Sequence, residues 1–420
     1  MERRGASLLV WPIALLPAAV LAAAGAFAGA ALAAEPPRLG LSVRADGVLM
    51  KTGRRYRGIG VNYFDAFYRT LRDANDTSYD AGFRTLAAHG IPFARFMCGG
   101  FWPKDNALYV RDKAAYFRRL DAVVRSAEKH GVGLIPSLFW HRGTVPDLVG
   151  EPCDRWGDPN SKTHAFLRTY TREVVTRYRR SPAIWAWEFG NEYNLSADLP
   201  NAAKHRPPVA PRLGTPPTRS ARDELSRDMI RAAFAAFARE VRRHDPHRAV
   251  TTGSSMPRPS AWHQRAEGSW KKDTPPQFAE VLLGDHADPI DLISVHVYRD
   301  AQRLRGAVDA AGRGKKPLFV GEFGVPGPPS EKTRRQFADL LRRIEETGVP
   351  LAALWVFDYR RQDEWNVTPD NERAWQLKAI AEANRRLRRR EQAQQAAGRM
   401  PSSATTWMPP YGAGHAARSQ

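Results

Sequence analysis

The chain has 420 residues, 43% of them hydrophobic, with a formal net charge of +20. Apolar content recurring in strand-like runs excludes a disordered chain and suffices for one large barrel or two ordinary domains. The only two cysteines, Cys98 and Cys153, exclude a disulfide framework and a cysteine-based zinc site.

Residues 1–34 begin Met1-Glu2-Arg3-Arg4, continue through an Ala/Leu-rich stretch from Ala6 to Leu32, and reach Ala31-Leu32-Ala33. A basic start, an apolar middle and a small-residue site make a secretory signal, which implies a secreted or periplasmic protein. The competing assignment is a retained inner-membrane anchor, because the stretch exceeds the ~20 residues that span a bilayer. Membrane contact is expected only in that second case. Arg3-Arg4 gives little support for twin-arginine export.

Eight short apolar or β-branched runs follow, expected as strands at 57–63, 92–97, 132–139, 183–191, 248–253, 291–298, 317–323 and 350–357. Amphipathic stretches separate them. Residues 112–130 carry Ala115, Leu120, Val123, Val124 and Ala127 at helical spacing and stop at Gly131. Other helices are expected at 163–179, 222–243, 276–284, 332–346 and 371–389, with a weak one near 300–311. Alternating strands and helices imply a parallel sheet, and eight such units match a (β/α)8 TIM barrel over residues 35–384. A doubly wound open sheet is disfavoured because no Gly-rich phosphate loop follows the first strand.

Residues 195–221, after the fourth strand, hold Pro200, Pro207, Pro208, Pro211, Pro216 and Pro217. They read either as the wall of a cleft or as a solvated excursion. Cys98 and Cys153 fall after strands at the same barrel end, as either a bridge or two buried thiols. Residues 385–420 are Arg-rich, then low in complexity, and read as a disordered tail. The two ends carry +1 and +6, leaving about +13 on the body. No nucleic-acid motif accompanies that charge, so a solvated basic surface and no nucleic-acid partner are expected.

Barrel sites are built at the C-terminal ends of strands. Here those ends offer Asn191-Glu192 after the fourth strand and Glu322 after the seventh. Two carboxyls facing across a barrel mouth suit glycoside cleavage, with one protonating the leaving oxygen and one on the far side of the ring. Glu188, four residues before Glu192, points deeper and suits a paired structural role. No His/Asp/Cys group has metal-ligand spacing, so no catalytic metal and no cofactor are expected.

The segments Trp187-Glu188-Phe189-Gly190-Asn191-Glu192, Ser294-Val295-His296-Val297-Tyr298 and Val320-Gly321-Glu322-Phe323-Gly324, with Trp355 on the last strand, resemble glycoside hydrolase family 5. This is the cellulase and β-mannanase family. The resemblance implies Glu192 as acid/base and Glu322 as nucleophile. It further implies that Asn191 binds the sugar 2-hydroxyl, that His296 and Tyr298 stand beside the acid/base and the nucleophile, and that Arg95 keeps Glu322 ionised. His141 matches a further family histidine, and Trp355 a stacking platform under the cleaved sugar. Among the loop aromatics Phe101, Trp102, Phe139, Trp140, Tyr193, Trp262 and Trp270, the two expected to line subsites are Trp102 and Tyr193. The expected function is retaining hydrolysis of a β-linked oligo- or polysaccharide, β-1,4-mannan or β-1,4-glucan, by a monomer. Alternatives are an exo-β-glycosidase or transglycosylase of the same clan, and a catalytically silent envelope glycan-binding protein.

Overall fold

The computed structural model describes residues 38–298 and 302–397. The expected signal or anchor and the end of the tail lie outside them. Eight parallel strands carry the fold: β1 (Gly58–Asn62), β2 (Phe93–Met97), β3 (Gly133–Phe139), β4 (Ala186–Gly190), β5 (Ala249–Thr251), β6 (Ile293–Val297), β7 (Leu318–Phe323) and β8 (Leu351–Leu354). Each pairs with its sequence neighbour, and β8 pairs with β1. Between β5 and β6 the ladder thins to a parallel bridge, Thr251 to Leu292, with Leu292 N–H donating to Val250 O at 3.1 Å. The ring is therefore closed, and all eight expected strands are present in order.

Helices cover the outside as their apolar spacing requires. Helix Lys113–His130 is capped by the Asp112 carboxylate, which accepts from Ala115 N–H, and ends at Gly131 in the left-handed region (φ 68°). Helix Arg227–His244 begins five residues later than expected, at the Ser226 cap. The weak helix near 300–311 is Arg303–Arg313. Two features were not expected. Helix Ser78–Ala88 follows β1 and buries Tyr79, Phe83 and Leu86. The final helix spans Trp375–Ala397, so beyond the helix expected to end at 389 the residues from 390 to 397 are helical where only a disordered tail was expected. Leu387 is buried and Arg386 pairs with Glu345 at 2.6 Å, which anchors that extension.

The bottom of the barrel is closed by a small antiparallel sheet, Leu41–Val43, Leu49–Lys51 and Arg54–Arg55, also not expected. Leu41 and Leu49 enter a cluster with Phe93, Ile135, Trp185, Phe319 and Leu351. Leu41 N–H donates to Trp185 O at 2.7 Å. Cys98 and Cys153 are separate buried thiols. Among the described residues no helix is long and apolar enough to cross a membrane.

Leu49 is 2% exposed, and its truncation leaves a cavity under the barrel. Leu49→Ala is expected to lower stability by about 2–5 kcal/mol, read as a shifted urea midpoint at unchanged slope. A shift near zero would mean that the small sheet is an ornament rather than a floor.

Candidate active site

Opposite the floor, the strand ends converge on one guanidinium. Arg95, on β2, is fully buried. Its Nε donates to Glu188 Oε1 at 2.7 Å. Its Nη1 donates to Asn62 Oδ1 at 2.9 Å and to Glu322 Oε1 at 2.8 Å. Its Nη2 donates to Asn191 Oδ1 at 2.8 Å. The Trp140 ring lies over the same group, 4.5 Å from its centroid. A buried guanidinium is tolerable only when its donors are used, and every edge of this fork is engaged. Glu188 takes the deep, paired place expected for it.

Two irregularities aim the carboxylates. On β7, Val320 faces Val295 and Glu322 faces His296, so Gly321 is an extra residue that turns Glu322 into the mouth. After β4, Glu192 sits in the left-handed region (φ 55°). Its N–H donates to Gly253 O at 2.9 Å. Gly253 itself has φ 71°, and a Cβ there would stand 1.8 Å from Gly190 O. Only glycine lets the loop after β5 approach β4 this closely.

His296 links the two acids. Its Nδ1 lies 2.9 Å from Glu192 Oε1 and 3.3 Å from Glu322 Oε2. Tyr298 OH donates to Glu322 Oε2 at 2.6 Å. One oxygen of each acid and a His296 nitrogen lie within 4.8 Å of one another. Such a trio has the donors of a cation site. However, both oxygens of Glu322 are already taken by Arg95 and Tyr298, so a cation would have to displace a buried partner.

The acids differ in setting. Glu322 is 4% exposed, whereas the Glu192 side chain is 32% exposed. Burial raises Glu192, but the hydrogen bond and charge of His296 outweigh it and hold the carboxyl below its usual range. At rest Glu192 is thus biased toward its ionised form, although an acid needs the opposite. For Glu188 burial outweighs the pull of Arg95 and pushes the carboxyl up. Burial and the neighbouring Glu322 charge push the Tyr298 phenol well above its usual value, so it remains a donor.

The remaining expected residues divide. Trp355 is half-buried at the rim, 6.2 Å from Trp140 and nearly parallel to it, with Nε1 donating to Gln362 Oε1 at 2.7 Å. His141 stacks on Phe101 at 5.1 Å beside Trp102, and among the described residues it makes no hydrogen bond to either carboxylate. Burial, then Arg142 and Arg219, push His141 down to about 3, so the ring is neutral. Tyr193 is a correction. It is 1% exposed, its OH donates to Phe139 O at 2.8 Å, and its ring packs on Phe189 and Trp156. The left-handed turn at Glu192 sends residue 193 behind the barrel wall rather than into the mouth. Phe139 is likewise core, and Trp270 is exposed.

Sequence reasoning passed over Asn62, whose Nδ2 donates to Gly321 O at 2.9 Å while its Oδ1 receives Arg95. It also passed over Phe64 beside Trp140 and Trp355, and Trp365 edge-on to Tyr298 at 5.1 Å. Asn62 and Phe64 end β1 as Asn191-Glu192 ends β4, so the strand-end rule marked them.

The family model of Cellulase (glycosyl hydrolase family 5) matches residues 53–358. The chain belongs to glycoside hydrolase family 5. This family 5 chain is 35% identical over 96 residues to a probable mannan endo-1,4-beta-mannosidase F of Neosartorya fischeri, a stretch covering 21% of each. It thus spans about a fifth of the length of the curated relatives it matches. Its fold superposes on a family 5 mannosidase from Rhizomucor miehei with TM-score 0.61, at 12% identity, covering 84% of this chain and 99% of that one. It also superposes on an exo-beta-1,4-mannosidase from Opitutaceae bacterium strain TAV5 with TM-score 0.58, at 15% identity, covering 83% and 63%.

Without Arg95, Glu188 would be buried with no cation and pushed further up. The folded chain would then keep a proton that the unfolded chain releases above about pH 4.3, so the variant loses stability as pH rises through that range. Arg95→Met is expected to cost about 3–5 kcal/mol at pH 7 and less at pH 5, measured by urea unfolding at both. Equal losses at the two pH values would refute this electrostatic account.

Proposed function

We propose that the protein is a retaining β-glycosidase acting on β-1,4-mannan or β-1,4-glucan, with Glu322 as nucleophile and Glu192 as acid/base. The observation that carries this reading is the closeness of the two acids, with one oxygen of each inside the 4.8 Å group around His296. Carboxyls about 5–5.5 Å apart serve retention, and an inverting pair needs about 6.5–9.5 Å for an intervening water. Mannan is the favoured substrate because the relatives' names state mannosidase activity.

In the first step Glu322 attacks the anomeric carbon and forms an ester. The bond to the leaving oxygen breaks, and that oxygen takes the proton of Glu192. In the second step water attacks the same carbon, Glu192 takes its proton, and Glu322 leaves as carboxylate. Arg95 and Tyr298 hold the nucleophile in place. Asn191, oriented by Arg95, faces the 2-hydroxyl, and Trp355 supports the ring. The neutral His141, with Trp102, borders the mouth. Substrate separates Glu192 from solvent, and His296 can turn toward Glu322, 3.3 Å away. Both changes raise Glu192 toward its acid form. A secreted or periplasmic place, reached through residues 1–34, suits a polymeric substrate.

Glu322→Ala should abolish turnover of an activated aryl β-glycoside, and rates equal to wild type would remove the enzyme reading. Glu192→Ala should cost about 10²–10⁴-fold on polysaccharide and far less on the activated glycoside, because only the former requires protonation. Comparable losses on both would refute its role as acid. The low resting value of Glu192 also sets a pH profile. On substrates with poor leaving groups, kcat/KM should fall on a basic limb at or below the usual carboxylate range, about pH 4.3. His296→Asn should move that limb upward, and an unmoved limb would show that His296 does not hold Glu192.

A further inference from the structure

A cavity of about 940 Å³ begins at His296 and Tyr298, the partners of Glu192 and Glu322, and runs between residues 255–259 and the face of helix Glu331–Glu346. Arg258, Lys332 and Arg343 line it. None of the three has a carboxylate at ion-pair distance among the described residues, whereas Arg95, Arg219, Arg227 and Arg248, all with buried side chains, each do. The one acid on the lining, Asp339, is taken by Arg342 at 3.3 Å. Arg258 is held in place by donating Nε to Leu195 O at 2.9 Å, and among the described residues neither Nη group has a hydrogen-bond partner. The high net charge does not by itself explain this lining. Another cavity of about 870 Å³ carries Asp358, Asp363, Glu364, Asp370 and Glu372 against Arg360 and Arg373. Charge is therefore sorted between clefts, and the positive cleft is the one that reaches His296 and Tyr298, the hydrogen-bond partners of Glu192 and Glu322.

The side of the scissile bond follows from the neighbours. Leu195 N–H donates to Glu192 O at 3.1 Å and Leu195 O receives Arg258 Nε at 2.9 Å, so Arg258 stands on the Glu192 side of the pair, and against the lowering by burial the Glu192 charge raises it. Glu192 is the group that protonates the leaving oxygen, so Arg258 belongs to the leaving-group side. A planar fork with free Nη groups suits a carboxylate or a sulfate. Lys332 and Arg343, 11 residues apart on one helix, repeat a positive charge about 16 Å further along. Resting on the glycosidase reading, we propose that the β-1,4-linked backbone it cleaves is an acidic derivative, whose uronic carboxylates or sulfate esters bind on the leaving-group side at Arg258 and Lys332.

The test measures calorimetric binding to the full chain carrying Glu322→Gln, so that binding is read whether or not turnover occurs. Three probes share one β-1,4-linked backbone: the neutral oligomer, its C6-carboxylate derivative and its O6-sulfate derivative. At low salt the favoured anionic probe should bind about tenfold more tightly than the neutral one. Whichever derivative binds better names the acidic group. The advantage should shrink as the Debye length falls from roughly 20 Å to 8 Å. Arg258→Gln with Lys332→Gln should reduce it to about twofold or less. Arg125→Gln with Lys129→Gln, on the exposed face of helix Lys113–His130, removes the same charge and should leave it intact. Lys332→Glu alone, at an exposed position, repeats the test if Arg258→Gln disturbs folding. Equal binding of all three probes would overturn the proposal, as would an equal loss in the control pair. A preserved advantage in a chain whose wild type cleaves no aryl glycoside would instead overturn the hydrolase reading alone.

Discussion

The burial of one cation decides how this barrel ends. Arg95 has no access to water, and the cost of desolvating it is met by Asn62 on β1, Glu188 and Asn191 on β4 and at its end, and Glu322 on β7. Satisfying the fork therefore fixes the relative heights of β1, β2, β4 and β7. The same bonds that make the charge tolerable place a carboxylate and an amide at the mouth. Lysine could not do this, because a point charge lacks a planar fork that spans several strands. Stability and positioning are here a single requirement.

From that centre the two candidate acids acquire opposite characters through what surrounds them, not through their own chemistry. Glu322 is enclosed and has a donor on each oxygen. Glu192 stands at the solvent edge on a left-handed turn, and its main partner is an imidazole that also reaches Glu322. A nucleophile gains from being held, because a fixed anion costs no reorganisation at reaction. An acid gains from a partner that can let go. The structure has put the rigid network under one and the adjustable contact under the other.

What the sequence made legible follows physical length scales. A strand buried on both faces is a continuous apolar run, so all eight appeared, and a polar group ending such a run is visible for the same reason. The floor did not appear because strands of two or three residues carry no period, and Leu41 and Leu49 are its fully buried side chains. The extension to Ala397 was hidden by its run of arginines, among which Leu387 is a single apolar contact. Tyr193 misled because its neighbour Glu192 faces the mouth. A one-residue step through a positive φ reverses direction in a way that adjacency does not reveal. The extra residue Gly321 and the close approach at Gly253, which aim the two acids, are features of register and spacing rather than of pattern.

The proline-rich segment after β4 completes the logic of the mouth. It is not a solvated excursion. Arg219 binds Asp147 at 2.6 Å with both side chains almost fully buried, and reaches Asp223 at 3.3 Å. Arg206 is joined to Glu224, and Arg222 to Asp154 at 2.8 Å. Pro207 stands so near the loop after β3 that a Cβ at Gly143 would meet it at 3.1 Å and the His141 ring at 3.4 Å. Prolines lower the entropy of the free segment, and the buried arginine pair holds it to the barrel, so this flank behaves as a fixed wall. A wall beside Phe101, Trp102 and His141 leaves the opposite flank, past Tyr298 and Arg258, as the open course for a chain longer than the site.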